Sequence, residues 1–297
     1  MSNAIRASIF RLPIIAALCA ALLLASGCSA LRFGYNQAAD LAYWWLDGYV
    51  DFGETQTPQV RDALANWFAW HRGTQLPGYA ELLARAGNEV LADSTPARVC
   101  EWWALLGARI ETSVERAVPA ATDLMLSVTP RQIQHIERRY AKSNDEFRDD
   151  FMQGDAVKRR KASVERAIER AELLYGKLDE AQREQVSQSV AKSPFDPELW
   201  FSERKRRQQD ALQTLRRLGA EAAGRDQAQA ALRAYIERSS RSPREEYRRY
   251  SATLAGFNCT VAATLHNSTL PAQRQVAAQK LKGWESDVRA LAVDSAK

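Results

Sequence analysis

The sequence is poor in the residues that build metal sites, with three histidines and four cysteines among 297 residues. His71, His135 and His266 are widely separated, so neither His-x-x-x-His nor His-Glu-x-x-His occurs, and four cysteines are too few for a zinc-ribbon array. The sequence also lacks Gly-x-Ser-x-Gly, a glycine-rich phosphate loop and a dinucleotide fingerprint. We therefore expect no metal and no cofactor, and we assign no catalytic residue.

Glycine and proline are also scarce, at 14 and 10 residues, and the alternating apolar runs of β-strands are absent. A chain that is 46% hydrophobic and 26% charged is not collagen-like, mucin-like or wholly disordered. The 41 Lys and Arg against 36 Asp and Glu give a formal net charge of +5. This composition predicts a chain that folds around a substantial core.

The N-terminus has the features of an export signal. Arg6 and Arg11 precede an apolar run, residues 12–25, which is shorter than the roughly 20 residues that span a bilayer. The run ends in Leu-Ala-Ser-Gly before Cys28, which resembles a bacterial lipobox, where the cysteine receives a lipid and becomes the first mature residue. An ordinary secretory signal followed by a chance cysteine is the alternative.

The lipobox resemblance implies a protein held in the bacterial cell envelope through lipid on Cys28. Because Ser29 rather than Asp follows, the outer membrane, facing the periplasm, is favoured. We predict a signal peptide over residues 1–27 and a single all-α periplasmic domain over 28–297, which could form two lobes.

Two cysteines remain after Cys19 leaves with the signal and Cys28 is lipidated. Cys100 and Cys259 would most often pair in an oxidising periplasm, and we expect a structural disulfide between them. Two free buried thiols or a redox pair are the alternatives, although Cys-x-x-Cys is absent.

The remaining chain is predicted to be helical. Six of the ten prolines directly follow Ser, Thr or Asp, which is typical of helix starts. Apolar residues recur at helical spacing along most of the chain, and we predict an all-α bundle of roughly nine to eleven helices. Pro119 should end or kink the helix that starts at Thr95. One predicted apolar helix face consists of Val99, Trp103, Leu106, Ile110 and Val114.

A short motif repeats three times. Residues 127–132, 178–182 and 269–273 each combine a helix cap with a glutamine early in the following helix. The motif is similar to the Leu-Thr-x-x-Gln motif of small periplasmic chaperones. Ordinary helix-start chemistry that is used several times is the alternative.

Three segments carry a wider resemblance: residues 31–36, 43–52 and 193–200. Together with the lipobox, they resemble an uncharacterised bacterial lipoprotein family, domain of unknown function 6279, over nearly the whole mature chain. The resemblance implies an envelope lipoprotein. It implies no activity and no functional residues.

Aromatic residues are concentrated near the mature N-terminus. They suggest a binding surface, or a platform at a membrane interface, where Trp and Tyr are favoured; a packed core is the alternative. Two carboxylates among them could form a buried acid pair, or they could cap helices or pair with Arg61 or Arg32. The candidate surface consists of Tyr43, Trp44, Trp45, Asp47, Tyr49 and Asp51.

Basic side chains are clustered at residues 158–161, 204–207 and 238–249. These clusters could attract an anionic envelope component, but nearby glutamates also fit solvated helix faces with i,i+4 ion pairs. Nucleic acid is disfavoured as a partner because the chain is predicted to be exported.

The sequence favours a non-enzymatic, membrane-anchored envelope protein with a binding, scaffold or chaperone-like role. Its expected partners are the membrane, through the lipid, and unfolded or envelope proteins. The alternatives are an enzyme that acts on cell-wall glycan or peptide through Asp47 and Asp51, and a purely structural lipoprotein. An exposed apolar groove would favour the first hypothesis, and a deep pocket with converging carboxylates would favour the enzyme.

Overall fold

The structure is a computed structural model that describes residues 30–152 and 154–293. The predicted signal peptide and Cys28 lie outside the described residues. The described helices, in chain order, are α1 (Ala30–Asn36), α2 (Ala38–Val50), α3 (Gln56–Trp70), α4 (Leu76–Glu89), α5 (Pro96–Ser127), α6 (Pro130–Phe151), α7 (Ala156–Tyr175), α8 (Glu180–Ala191), α9 (Pro197–Ala220), α10 (Arg225–Ser240), α11 (Glu245–Asn267) and α12 (Pro271–Val293).

Helices account for nearly all regular structure in the described residues, which contain no β-strand. Because α3 and α4 are continuous through a π turn at His71–Gln75, they form one long helix, and the twelve α-helices make eleven separate rods. The predicted all-α, multi-helix fold is confirmed. Within these described ranges, no helix combines the length and apolar composition needed to cross a bilayer.

The chain divides into two compact units, Met1–Ala38 and Ala39–Lys297. In the described part of the first unit, α1 is followed by Gln37, whose N–H donates to the carbonyl of Phe33 at 3.3 Å. The second unit contains the helices from α2 onward, apart from Ala38.

Three of the six predicted proline starts begin helices as expected. Thr95, Thr129 and Asp196 are N-caps, and each side chain accepts a hydrogen bond from the backbone N–H three residues later. The next start differs, because α3 begins at Gln56 and places Pro58 within its first turn. The remaining two Ser-Pro pairs lie in the loops before α9 and α11.

Pro119 does not end its helix, and the expectation of a helix end there is wrong. Helix α5 continues to Ser127, although proline removes one intrahelical hydrogen bond. Val118 and Thr122 on either side are fully buried, and the Thr122 hydroxyl donates to the Val118 carbonyl at 2.8 Å. Tertiary packing therefore holds the helix together across the lost hydrogen bond.

Helix α5 packs against α3, α10 and α11, while α4 lies along α12. A disulfide between Cys100 and Cys259 joins α5 to α11, with the Cα atoms 5.5 Å apart. One core cluster joins Ile133 and Ile136 of α6 to Leu212 of α9, with Val50 at its edge. These contacts fix the helices that border the sites described below.

Two pairs of glutamines hold helix starts together, and we call each pair a glutamine clasp. In the first clasp, Gln56 of α3 and Gln132 of α6 exchange amide hydrogen bonds of 3.3 and 2.6 Å. Each side-chain oxygen also accepts from the backbone N–H three residues earlier, at Gly53 and Thr129. Both glutamines are buried, so these bonds replace the water that would otherwise solvate them.

The second clasp repeats this arrangement with Gln182 of α8 and Gln273 of α12. Their amides exchange hydrogen bonds of 2.8 and 2.9 Å, and their oxygens accept from the N–H groups of Asp179 and Leu270. In both clasps, each side-chain nitrogen also donates to a backbone carbonyl, which lies two residues before the N–H that donates to the partner glutamine. These carbonyls belong to Ser127, Asp51, Ser268 and Lys177.

The clasps explain the repeated motif that was identified in the sequence. The amide groups of Gln132, Gln182 and Gln273 form hydrogen bonds with helix starts of the protein itself. This arrangement favours the helix-start interpretation of the motif over a direct contact with a client protein.

We predict that Gln132→Ala destabilises the fold by about 1–3 kcal/mol. The Thr129 N–H and the Asp51 carbonyl each lose a hydrogen-bond partner, and the buried Gln56 loses its amide partner across the clasp. Adding Gln56→Ala should cost little more, since the two residues form one unit. Urea unfolding followed by circular dichroism measures both effects. Gln59→Ala on exposed α3 surface is the matched control, and equal losses in Gln132→Ala and Gln59→Ala would refute the clasp.

Candidate functional site

Helix α2 divides the predicted aromatic surface into a buried and an exposed side. Tyr43 is buried, its hydroxyl lies 3.1 Å from the Thr57 hydroxyl, and the Arg61 guanidinium covers its ring at 3.8 Å. Trp44 and Trp45 are each 63% exposed. The sequence left open whether these aromatic residues form a core or a surface. Tyr43 belongs to the core, whereas its neighbours Trp44 and Trp45 lie at the surface.

Asp47 and Asp51 complete the end of α2 and are not a buried acid pair. Asp47 Oδ1 accepts from the Phe52 N–H at 2.9 Å, whereas the exposed Asp51 carboxylate pairs with Arg131 at 3.0 Å. Asp51 has φ of 60°, a left-handed conformation that ends the helix. The sequence predicted capping correctly, but it named Arg61 and Arg32 as partners; Arg61 pairs with Asp40 instead.

An apolar stripe along α5 is exposed. Trp103 and Ile110 are 64% and 59% exposed, and Leu106 and Val114 are also exposed. These four residues follow helical spacing along one face, which we call the α5 stripe. The spacing predicted the face correctly, but α3, α10 and α11 cover other sides of the helix.

The α5 stripe leads into an aromatic cleft of about 360 Å³. Ile110 and Val114 form one wall, and Trp67, His71 and Tyr79 form the other. The Trp67 indole N–H donates to the Ser113 carbonyl at 3.0 Å, which fixes the ring against α5. The other lining residues are Ser113 and Ala117, so the lining is mostly apolar.

The π turn places His71 in this wall. Its ring stacks on Trp67 with the centroids 4.9 Å apart and lies 5.7 Å from the ring of Tyr79. Burial lowers the pKa of His71 below its ordinary value of 6.5, so the ring is neutral at pH 7. A neutral, stacked imidazole suits an apolar binding surface better than a charged one.

Glu89 connects the end of α4 to the start of α5. It closes α4 and accepts hydrogen bonds from Arg98 and Trp102 of α5 and from Arg85 of its own helix. The bonds from Arg98, supported by those from Arg85 and Trp102, lower the pKa of Glu89 to about 2 although its desolvation opposes the shift.

The basic clusters are used in different ways. Arg206 and Arg207 bind Glu203, which is 1% exposed, while Arg206 and Arg238 bind Asp210. Burial acts to raise the pKa of Glu203, but hydrogen bonds and charges from its partners, chiefly Arg206, lower it overall. Two of these pairs, Arg207–Glu203 and Arg206–Asp210, have the predicted i,i+4 spacing, whereas Arg238 and Asp210 are 28 residues apart. Both carboxylates are largely buried rather than solvated.

The cluster at residues 158–161 remains mostly at the surface of α7. Lys158, Arg160 and Lys161 are exposed, and Lys161 lies 3.9 Å from Glu165. This pair, and the exposed pair of Arg249 with Glu245 at 3.8 Å in the third cluster, have the solvated i,i+4 arrangement that the sequence predicted.

The histidines also differ from one another. His266 is buried and connects the Tyr175 hydroxyl, at 2.9 Å, to the Ala92 carbonyl, at 2.7 Å. His135 lies at the surface, 3.3 Å from the Gly48 carbonyl. His266 therefore belongs to the core, whereas His135 does not. Among the described residues, no group of three or more His, Cys, Asp or Glu could hold a metal ion.

Sequence reasoning missed Gln56 and Glu89, and it expected Glu203 on a solvated helix face although this residue is buried. Gln56 follows Gly53 by the same three residues that separate Thr129 from Gln132, so its spacing could have identified it. No local pattern distinguishes Glu89 from the other glutamates, because its partners on α5 lie 9 and 13 residues away.

A family model described as "Family of unknown function (DUF6279)" matches residues 48–248, more than half of the chain. The matched range contains the α5 stripe, the cleft and the first clasp, whereas Trp44, Trp45, Cys259 and Gln273 lie outside it. No curated protein and no solved structure matches the chain.

We predict that Glu89→Gln makes the fold less stable at pH 7, because the charged hydrogen bonds to Arg98 are lost. The pKa of Glu89 is lower in the folded chain, so its stabilising effect is present above pH 4.5 and disappears as the pH falls towards about 2. The stability difference between wild type and variant should therefore shrink across this range in urea titrations at several pH values. The exposed Glu81→Gln on α4 is the control, and a pH-independent difference for Glu89→Gln would contradict the assignment.

Proposed function

The chain belongs to the DUF6279 family, for which no function is known, and we propose that it is a lipid-anchored envelope protein that binds apolar segments of other proteins without catalysis. The observation that carries the proposal is the exposed α5 stripe, which leads into the aromatic cleft. Contiguous exposed apolar surface on a folded chain is typical of an interaction site.

The chemistry of this surface fits an unfolded client. A segment with large apolar side chains would transfer them from water onto Trp103, Leu106 and Ile110 and into the cleft, which gains free energy in proportion to the area buried. The rings of Trp67 and Tyr79 and the neutral ring of His71 offer stacking contacts that do not depend on a particular sequence. Such contacts fit a protein with several clients better than one with a single specific ligand.

The enzyme hypothesis has less support. Its candidate carboxylates, Asp47 and Asp51, hold the end of α2 through Phe52 and Arg131. They line neither the aromatic cleft nor a second surface cleft, which lies around Lys177, Arg183 and Gln273. The envelope location continues to rest on the lipobox at Cys28, and the disulfide between Cys100 and Cys259 is compatible with an oxidising compartment.

We predict that residues 29–297 suppress aggregation of a denatured client protein without ATP, at near-stoichiometric amounts. Trp103→Asp combined with Ile110→Asp should weaken suppression about tenfold or more, because loss of an aromatic anchor typically costs 2 kcal/mol or more. Light scattering of several chemically denatured clients measures the effect.

The matched control combines Val157→Asp with Leu173→Asp on α7, where two apolar residues that are at least as exposed receive the same added charge. Both pairs of substitutions lie at the surface and should leave the fold intact, which circular dichroism checks. Equal suppression by all three proteins would refute a role for the α5 stripe. No suppression of any client by the wild type would leave a purely structural lipoprotein as the better hypothesis.

A further inference from the structure

The geometry points to a second surface with a different partner: the outer face of α2 rests on the lipid bilayer to which the chain is tethered. This face consists of Leu41, Trp44, Trp45 and Gly48, all of them exposed. The inference rests on the proposed lipid anchor at Cys28, but not on client binding by the α5 stripe.

The opposite face of α2 is firmly attached to the rest of the second unit. Tyr43 contacts Thr57 and Arg61 there, and Asp40 pairs with Arg61 at 2.8 Å. Val50 packs against the core cluster of α6 and α9. Since one face of the helix is held in this way, the exposed tryptophans occupy fixed positions.

Trp45 is itself supported by an aromatic stack. Its ring lies 5.0 Å from the ring of Tyr49, which in turn lies 6.1 Å from the ring of Tyr140. Tyr140 packs against the same core cluster. Burial raises the pKa of Tyr140 to about 12, in keeping with its enclosed position at the base of the stack. The exposed ring of Trp45 is therefore presented outward from a rigid base.

The exposed face carries no charge that would oppose contact with lipid. The two charged residues of α2 are Asp40 and Asp47, and both are engaged, with Arg61 and with the Phe52 N–H. Tryptophan is favoured at the boundary between lipid headgroups and acyl chains because its ring is amphipathic. The composition of the face thus matches the chemistry of a bilayer surface.

The length of chain before α2 favours a bilayer over other partners. Only twelve residues separate Cys28 from Leu41, and even a fully extended segment of that length reaches about 45 Å at most. A lipid on Cys28 therefore keeps α2 close to the membrane at all times, which raises the effective concentration of lipid at this face.

A second copy of the chain is less suitable as the partner. The exposed parts of Leu41, Trp44 and Trp45 amount to roughly 400 Å², because a whole tryptophan offers at most about 250 Å². A stable protein interface takes about 800 Å² from each partner, with close shape complementarity. A fluid bilayer needs neither that area nor a matching shape.

The test uses the full, lipidated chain, purified in detergent and reconstituted into phosphatidylethanolamine and phosphatidylglycerol vesicles. One vesicle set carries acyl chains brominated near the headgroup, which quench only tryptophans that contact lipid. We expect quenching in the wild type and its loss in Trp44→Phe combined with Trp45→Phe. Phenylalanine keeps the face apolar, so the variant removes the reporter without removing the helix.

Trp103→Phe is the matched control, because Trp103 is as exposed as Trp44 and Trp45 but lies on α5. It should leave the quenching unchanged. The inference is overturned if the tryptophan fluorescence of the wild type is not quenched. It is also overturned if quenching disappears in Trp103→Phe or persists in the variant that combines Trp44→Phe with Trp45→Phe. If the wild type shows no quenching and forms dimers, a second copy of the chain covers the outer face of α2 instead of lipid.

Two further measurements separate this inference from the proposed function. Cys28→Ala should release the chain from membranes if the lipid anchor is real, and an unchanged membrane fraction would refute the anchor itself. The double tryptophan variant should suppress client aggregation as well as the wild type, since neither residue belongs to the α5 stripe. Normal suppression without bilayer quenching would reject only the membrane-contact face.

Discussion

The unpaired backbone groups at helix starts are the constraint on which this structure depends. The twelve α-helices of the described residues create many such ends, and each end leaves amides or carbonyls that need partners when they are buried. The two glutamine clasps meet this need for four helices at once, because each side chain satisfies its own helix start and a carbonyl before its partner. They thereby join α3 to α6 and α8 to α12, over separations of 76 and 91 residues. Since α4 continues α3, the first clasp also orients one wall of the cleft.

Polar and apolar residues are distributed in a way that bears on function. Many arginines are bound to carboxylates within the protein, most completely around the buried Glu203, so they are less available for an anionic partner than the composition suggests. Large apolar side chains, in contrast, remain exposed on α5 and α2. The surface that is left for partners is therefore more apolar than the charge of the chain indicates. Two separate apolar faces on rigid helices fit a protein that contacts two different kinds of partner.

Sequence reasoning succeeded where a local cause was sufficient. Thr129, Pro130 and Gln132 define a helix start through their own chemistry, and the structure places the capping box there. Of the two outcomes expected at Pro119, an end or a kink, the helix end does not occur, because burial of Val118 outweighs the local preference of proline to end a helix. The sequence also could not decide whether Trp103 and Ile110 are covered, since helical spacing identifies an apolar face without showing whether another helix packs on it.

The sequence by itself determined the helical class, the family and the chemistry of individual helix starts, because these depend on residues a few positions apart. Only the tertiary structure decided which glutamines become partners, that Glu203 is buried while Trp44 is exposed, and that Trp67, His71 and Ile110 form one cleft. These properties arise between segments that are distant along the chain. No local preference encodes such pairings, because the free energy of each contact depends on what the rest of the fold brings next to it.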